Sequence, residues 1–158
     1  MNKEQIAQKI VESLDDCPAG VHCYFIKLNS SWAAKCYYEG EARDIAYQRQ
    51  NLCYDEGLAP FAKDCFEITV DYYDEEEDLE IETLYCYITE VITPCVPLNY
   101  KKDSFVLDCE CDNFQADYEK DLWLIQEKIK EKTGWHPNDI HGYNWGWNDG
   151  NLQLLDFF

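Results

Sequence analysis

The chain has 158 residues, with 32 Asp and Glu against 13 Lys and Arg and a formal net charge of −19. That length suits one domain with a real core, and an aromatic content of 15% excludes the disordered acidic class, which is poor in aromatics. The charge argues against direct nucleic-acid binding, which needs a basic surface for the phosphates, and no stretch reaches the roughly eighteen apolar residues of a membrane-spanning helix.

Ile6, Ile10 and Leu14 recur at helical spacing, so residues 3–14 are predicted to form a short amphipathic helix, stopped by Pro18 and Gly20. The N-terminus is polar and carries no secretory signal. With nine cysteines at scattered spacings, this fits reduced thiols in the cytoplasm better than a disulfide framework. Cys109 and Cys111 are the one close pair, and C-x-C without a matching second pair is a weak zinc signal.

Val21–Leu28 reads as a strand, 29–31 as a turn and Trp32–Tyr38 as the returning strand. Glu39–Glu56 reads as a helix with Gly57 as its stop. Phe66–Tyr73 and Leu84–Ile92 are the next strands, separated by the acidic run 74–80, a solvated loop or hairpin tip by composition. Residues 99–114 are either strand or irregular link. Tyr118–Lys132 carries Leu122, Ile125 and Ile129 on one helical face and ends at Gly134 and Pro137. Asp149-Gly150 between two apolar stretches is a hairpin signal. Trp145 and Trp147 alternate, which leaves open that one faces the core and the other the surface as a partner anchor, with core packing the expected role.

The tail carries the chemistry. Asp139 and Asn144 stand five residues apart, a hairpin follows, and Asp156-Phe157 comes after it. Phosphoryl transfer needs such a set: a carboxylate to orient the acceptor hydroxyl, and an amide and a carboxylate to hold Mg²⁺ against the phosphates. Taken singly, each of these residues is an ordinary turn former. Taken together, D-I-H-x-x-N followed by D-F resembles the catalytic loop and metal-binding aspartate of the protein-kinase and aminoglycoside-phosphotransferase superfamily, nearest to small-molecule kinases and short kinase-like proteins of phages and bacteria.

That resemblance implies an α+β fold for residues 1–158. A small antiparallel sheet with a packed helix would form the first lobe, about 1–92, and a truncated helical lobe with the catalytic-type hairpin would follow, about 93–158. It implies ATP and Mg²⁺ as ligands. Asp139 and Lys35 would be catalytic, with Lys35, in a strand resembling the A-x-K strand, holding phosphate. Asn144 and Asp156 would hold metal, and the backbone near Glu90 and Val91 would meet the adenine. Gln48 stands at the position of the glutamate that pairs with the lysine. Read alone, Lys35 would be a solvated guard on an edge strand, and His136 and His141 would be packing residues.

Two function classes stay open. One is a minimal Mg·ATP-dependent kinase. The other is an inactive pseudokinase-like acidic protein, phage-encoded on the resemblance, whose surface engages a basic host protein in the host cytoplasm. The second draws on three departures: Asn-Ser-Ser in place of a glycine-rich loop, Asp-Phe-Phe at the end, and no activation segment after Phe158. A second copy or a partner chain would then complete the cleft.

Overall fold

The computed structural model describes residues 1–14, 23–73, 79–93, 114–138 and 144–158. Its elements in order are α1 (Lys3–Ser13), β1 (Cys23–Lys27), β2 (Trp32–Tyr37), α2 (Gly40–Tyr54), β3 (Ala62–Tyr73), β4 (Leu79–Glu90), α3 (Phe114–Thr133), β5 (Trp145–Asn148) and β6 (Asn151–Leu154). The fold is mixed α+β, with one four-stranded antiparallel sheet ordered β1-β2-β4-β3 and a two-stranded sheet β5-β6. By contacts the chain forms two compact units, one of residues 1–47, 62–91 and 158, the other of residues 48–61 and 92–157. The division is not linear, because the second half of α2 and the loop after it belong with the C-terminal residues.

In the first unit, strand alternation sorts the side chains to two faces. Ile26 of β1 and Leu28 just after it, Ala34 and Cys36 of β2, and Leu84, Cys86 and Ile88 of β4 face one way, with Ile68 and Val70 of β3. α1 closes that face through Ile6, Ala7, Ile10 and Leu14. Ile10 is fully buried, which stabilises by about 1.5–3 kcal/mol relative to an exposed side chain. α1 starts cleanly because Asn2 and Gln5 form a reciprocal capping box, each side-chain oxygen accepting from the other's main-chain N–H at 2.9 Å.

The turn between β1 and β2 is tight without glycine, since Asn29 Oδ1 accepts from the main-chain N–H groups of Ser31 (2.8 Å) and Trp32 (2.9 Å). β3 and β4 run longer than their apolar patterns predict. β4 begins at Leu79 rather than Leu84 and ends at Glu90 rather than Ile92. A ladder needs backbone partners, not apolar side chains, so Glu80 and Glu82 pair with Tyr72 and Val70 within it. Leu79 and Glu80 are therefore strand, while 74–78 of the acidic run lie outside the described residues. The register slips between Lys63 and Phe66, where Asp64 has φ 53°, which makes a bulge.

In the second unit, α2 ends in a Schellman motif: Leu58 N–H donates to Cys53 O at 3.0 Å and Gly57 N–H to Tyr54 O at 2.9 Å. Gly57 takes φ +70°, the left-handed conformation that this stop requires. α3 ends in the simpler left-handed cap at Gly134, φ 72°, whose N–H donates to Lys130 O at 2.8 Å. Asp149 (φ 48°) and Gly150 (φ 82°) turn the β5-β6 hairpin, as the Asp-Gly signal predicts. Residues 99–113, with Cys109 and Cys111, lie outside the described residues. Among the described residues no helix is long and apolar enough to cross a membrane, and Cys23, Cys36, Cys53, Cys65 and Cys86 are thiols outside any disulfide.

Candidate functional site

Lys35 sits on β2, an interior strand between β1 and β4, so the edge-guard reading is corrected. It pairs with Phe25 on one side and Tyr87 on the other. Its side chain points away from the aliphatic face, in step with Ala33 and Tyr37, and is only 4% exposed. A lysine is almost never sealed this way unless something engages its ammonium. One engagement is the Tyr87 ring, whose centroid is 5.9 Å from Nζ. The first half of α2 lies over the same face. Tyr47 meets Tyr87 edge-on at 5.5 Å, and a Cβ added to Gly40 would come within 3.1 Å of the Tyr85 ring. The aromatic wall beside Lys35 is thus built by β4 and α2 together.

At the end of β4, Trp32 pairs with Glu90, and one step further Val91 N–H donates to Ser31 O at 2.9 Å. The ladder therefore engages the Val91 donor. Glu90 and Val91 are both half-buried. Gln48 is exposed on α2, whose buried stripe is Ala42, Ala46, Gln50 and Cys53. The buried polar residue that sequence reasoning missed is Gln50, fully buried, whose Nε2 donates to Pro60 O at 2.9 Å.

The second unit holds the hairpin. Trp145 pairs with Leu154, Gly146 with Gln153, Trp147 with Leu152 and Asn148 with Asn151. The ladder continues one bond past the strands, with Leu155 N–H donating to Asn144 O at 2.7 Å. That bond brings Asn144 and the residue next to Asp156 to the open end of the ribbon. Both are half-buried. Asp139 and His141 lie outside the described residues. Trp145 and Trp147 do not divide between core and surface. Residues two apart on a strand share a face, and Trp145 is fully buried while Trp147 is half-buried.

Gly146 is set by close approach. An added Cβ would stand 2.7 Å from Thr93 O and 2.8 Å from Ile92 Cγ2. On its other edge β6 is tied to the loop after α2, since Leu154 N–H donates to Leu58 O at 2.9 Å. At the turn end, Leu124, Ile125 and Lys128 of α3 face Trp147 and Leu152 across a cavity of about 240 Å³. Beside it Lys132 pairs with Glu56 at 2.5 Å, and burial pushes the Cys53 thiol up to about 11 despite the nearby Lys132 charge. His136, half-buried, holds Nδ1 4.0 Å from Glu127 Oε1, consistent with a packing role.

After β6 the chain is irregular. Phe157 is fully buried with its ring 6.4 Å from that of Trp135, and Arg49 Nη1 donates to Phe157 O at 3.0 Å. No spacing in the sequence signals this contact, which joins residues 108 positions apart. Among the described residues no three His, Cys, Asp or Glu side chains gather in a metal-holding group. No protein family, curated protein or solved structure matches the chain.

Proposed function

We propose that the chain is a Mg·ATP-binding kinase homologue. The observation that carries this reading is the sealed Lys35 on an interior strand of a sheet whose next element is a helix packed over the lysine's face. A lysine strand, then a helix, then two antiparallel strands is the order that the kinase resemblance implies. The hairpin adds support, because its last ladder bond gathers Asn144 and the Asp156 segment at one end. An amide and a carboxylate oxygen suit Mg²⁺, which takes one or two protein ligands together with nucleotide phosphates rather than a full protein cage. The metal would supply charge neutralisation at those phosphates. Asn144 and Asp156 would orient it, Lys35 would hold phosphate, and Asp139 would orient an acceptor.

Thermal unfolding with and without ATP, each with and without Mg²⁺, tests the reading. Nucleotide at about 100 times its dissociation constant adds roughly 2.7 kcal/mol, or about 5–10 °C for a chain of this size. The rise is expected to require Mg²⁺ and to vanish in Asp156→Asn. No rise at millimolar nucleotide refutes the proposal.

One observation favours the pseudokinase-like reading instead: the Val91 N–H is already spent on Ser31. On that reading the net charge of −19 would serve a basic protein partner. Capture of one basic protein that weakens with salt and is indifferent to Asp139→Asn would support it.

A further inference from the structure

Arg49 makes an unusual choice of partner. The chain offers 32 carboxylates, yet among the described residues none lies within ion-pair distance of this guanidinium. Arg49 instead lays its guanidinium over the Trp135 ring, 4.4 Å from the centroid, and donates Nη1–H to Phe157 O at 3.0 Å. Burial lowers its pKa from the usual arginine value, so the charge is partly desolvated. Bonds from charged donors are stronger than neutral ones, and a planar cation held on an aromatic face loses little freedom in making one.

The location matters more than the strength. The last ladder bond of the hairpin is made by Leu155 N–H, and residues 155–158 are irregular. Asp156 therefore lies one residue past the ladder's last bond and one residue before the carbonyl that Arg49 holds. With the Phe157 side chain fully buried beside Trp135, the residue following Asp156 is fixed at both its ring and its carbonyl. We infer that Arg49 is the positioning residue for Asp156: its bond to Phe157 O sets the direction in which the carboxylate is presented. The inference rests on the nucleotide reading above and extends it by naming what orders the metal-binding end of the site.

The test uses Mn²⁺ as a probe with ATP, following free Mn²⁺ by electron paramagnetic resonance, and separately measures ATP binding in EDTA. Arg49→Met keeps an apolar stem and removes the guanidinium, and with it both the contact over the Trp135 ring and the bond to Phe157 O. It is expected to weaken Mn·ATP binding about tenfold while changing metal-free ATP binding by less than about twofold. Arg49→Lys keeps one donor, and an intermediate loss is expected. A merely structural role would lower the melting temperature and weaken both forms equally, and that result overturns the inference. Unchanged Mn·ATP binding in Arg49→Met, with wild-type protein binding normally, overturns this inference alone. Wild-type protein that binds ATP in neither form overturns the nucleotide reading and this inference with it. If Arg49→Met does not fold, Arg49→Lys decides: equal losses of both forms, or no loss, count against the assignment.

Discussion

The first unit is held by a ladder and an aliphatic face, the second by hydrogen bonds that reach across long stretches of chain. In the first, four strands satisfy one another's backbone groups, and the buried side chains of that face are Ile, Leu, Val, Ala and Cys. In the second, the regular ladder is a hairpin of two four-residue strands. Its irregular segments are fixed individually, by Gln50 to Pro60 O, Arg49 to Phe157 O, Gln126 to Pro137 O and Leu154 N–H to Leu58 O. The contrast teaches where precision comes from. A sheet positions Lys35 through repetition, whereas the Asp156 segment depends on single bonds, each costly to remove because it leaves a buried group unpaired.

The largest expected effect comes from removing the central aromatic of the second unit. Trp145→Ala is expected to cost about 3–5 kcal/mol, against about 2–5 kcal/mol for Ile10→Ala in the first. Urea unfolding followed by far-ultraviolet circular dichroism and by tryptophan fluorescence measures both. Coincident transitions in both variants would break the comparison, since the two regions would then unfold as one cooperative unit. Separate transitions, each displaced by the mutation in its own region, would sharpen it.

Next in size is Gln50→Met, which keeps side-chain volume and leaves Pro60 O without its donor. A loss of about 1–3 kcal/mol is expected, although no apolar contact area is removed. A stability within about 0.5 kcal/mol of wild type, the range of ordinary surface changes, would show that long-range polar bonds are not what orders the loop after α2.

The smallest effect belongs to Glu56 and Lys132, an exposed pair at 2.5 Å. Lys132, by hydrogen bond and charge, holds the Glu56 carboxyl below its ordinary value, and Glu56 in turn holds Lys132 above its own. The carboxylate's contribution is thus present above its unfolded pKa and lost as pH falls through the lowered folded value. The lysine's contribution is present below its unfolded pKa and lost as pH rises through the raised one. Lys132→Met should therefore differ slightly from wild type near neutrality and not at all in acid, with the difference shrinking in high salt. A difference that persists in acid would locate the effect in packing of the lysine stem instead.

Much of the element order in both units was legible because its determinants are local. Ile6, Ile10 and Leu14 mark α1, Gly57 marks the end of α2, and Asp149-Gly150 marks the hairpin turn, each through a rule that spans only a few residues. Apolar alternation found β3 and β4 but shortened them, because backbone pairing carries through glutamates that the pattern reads as loop.

What the sequence determined by itself is the order and kind of elements, and the residues that end them, since periodicity and turn chemistry act over one or two turns of chain. Only the tertiary structure decided that Lys35 is interior and sealed, that Val91 N–H belongs to Ser31, that Gln48 faces outward while Gln50 is buried, and that Arg49 holds Phe157. Those outcomes depend on which strand lies between which neighbours and on bonds spanning up to 108 residues. A buried polar group must find its partner wherever the fold brings one near, and no local spacing records that choice.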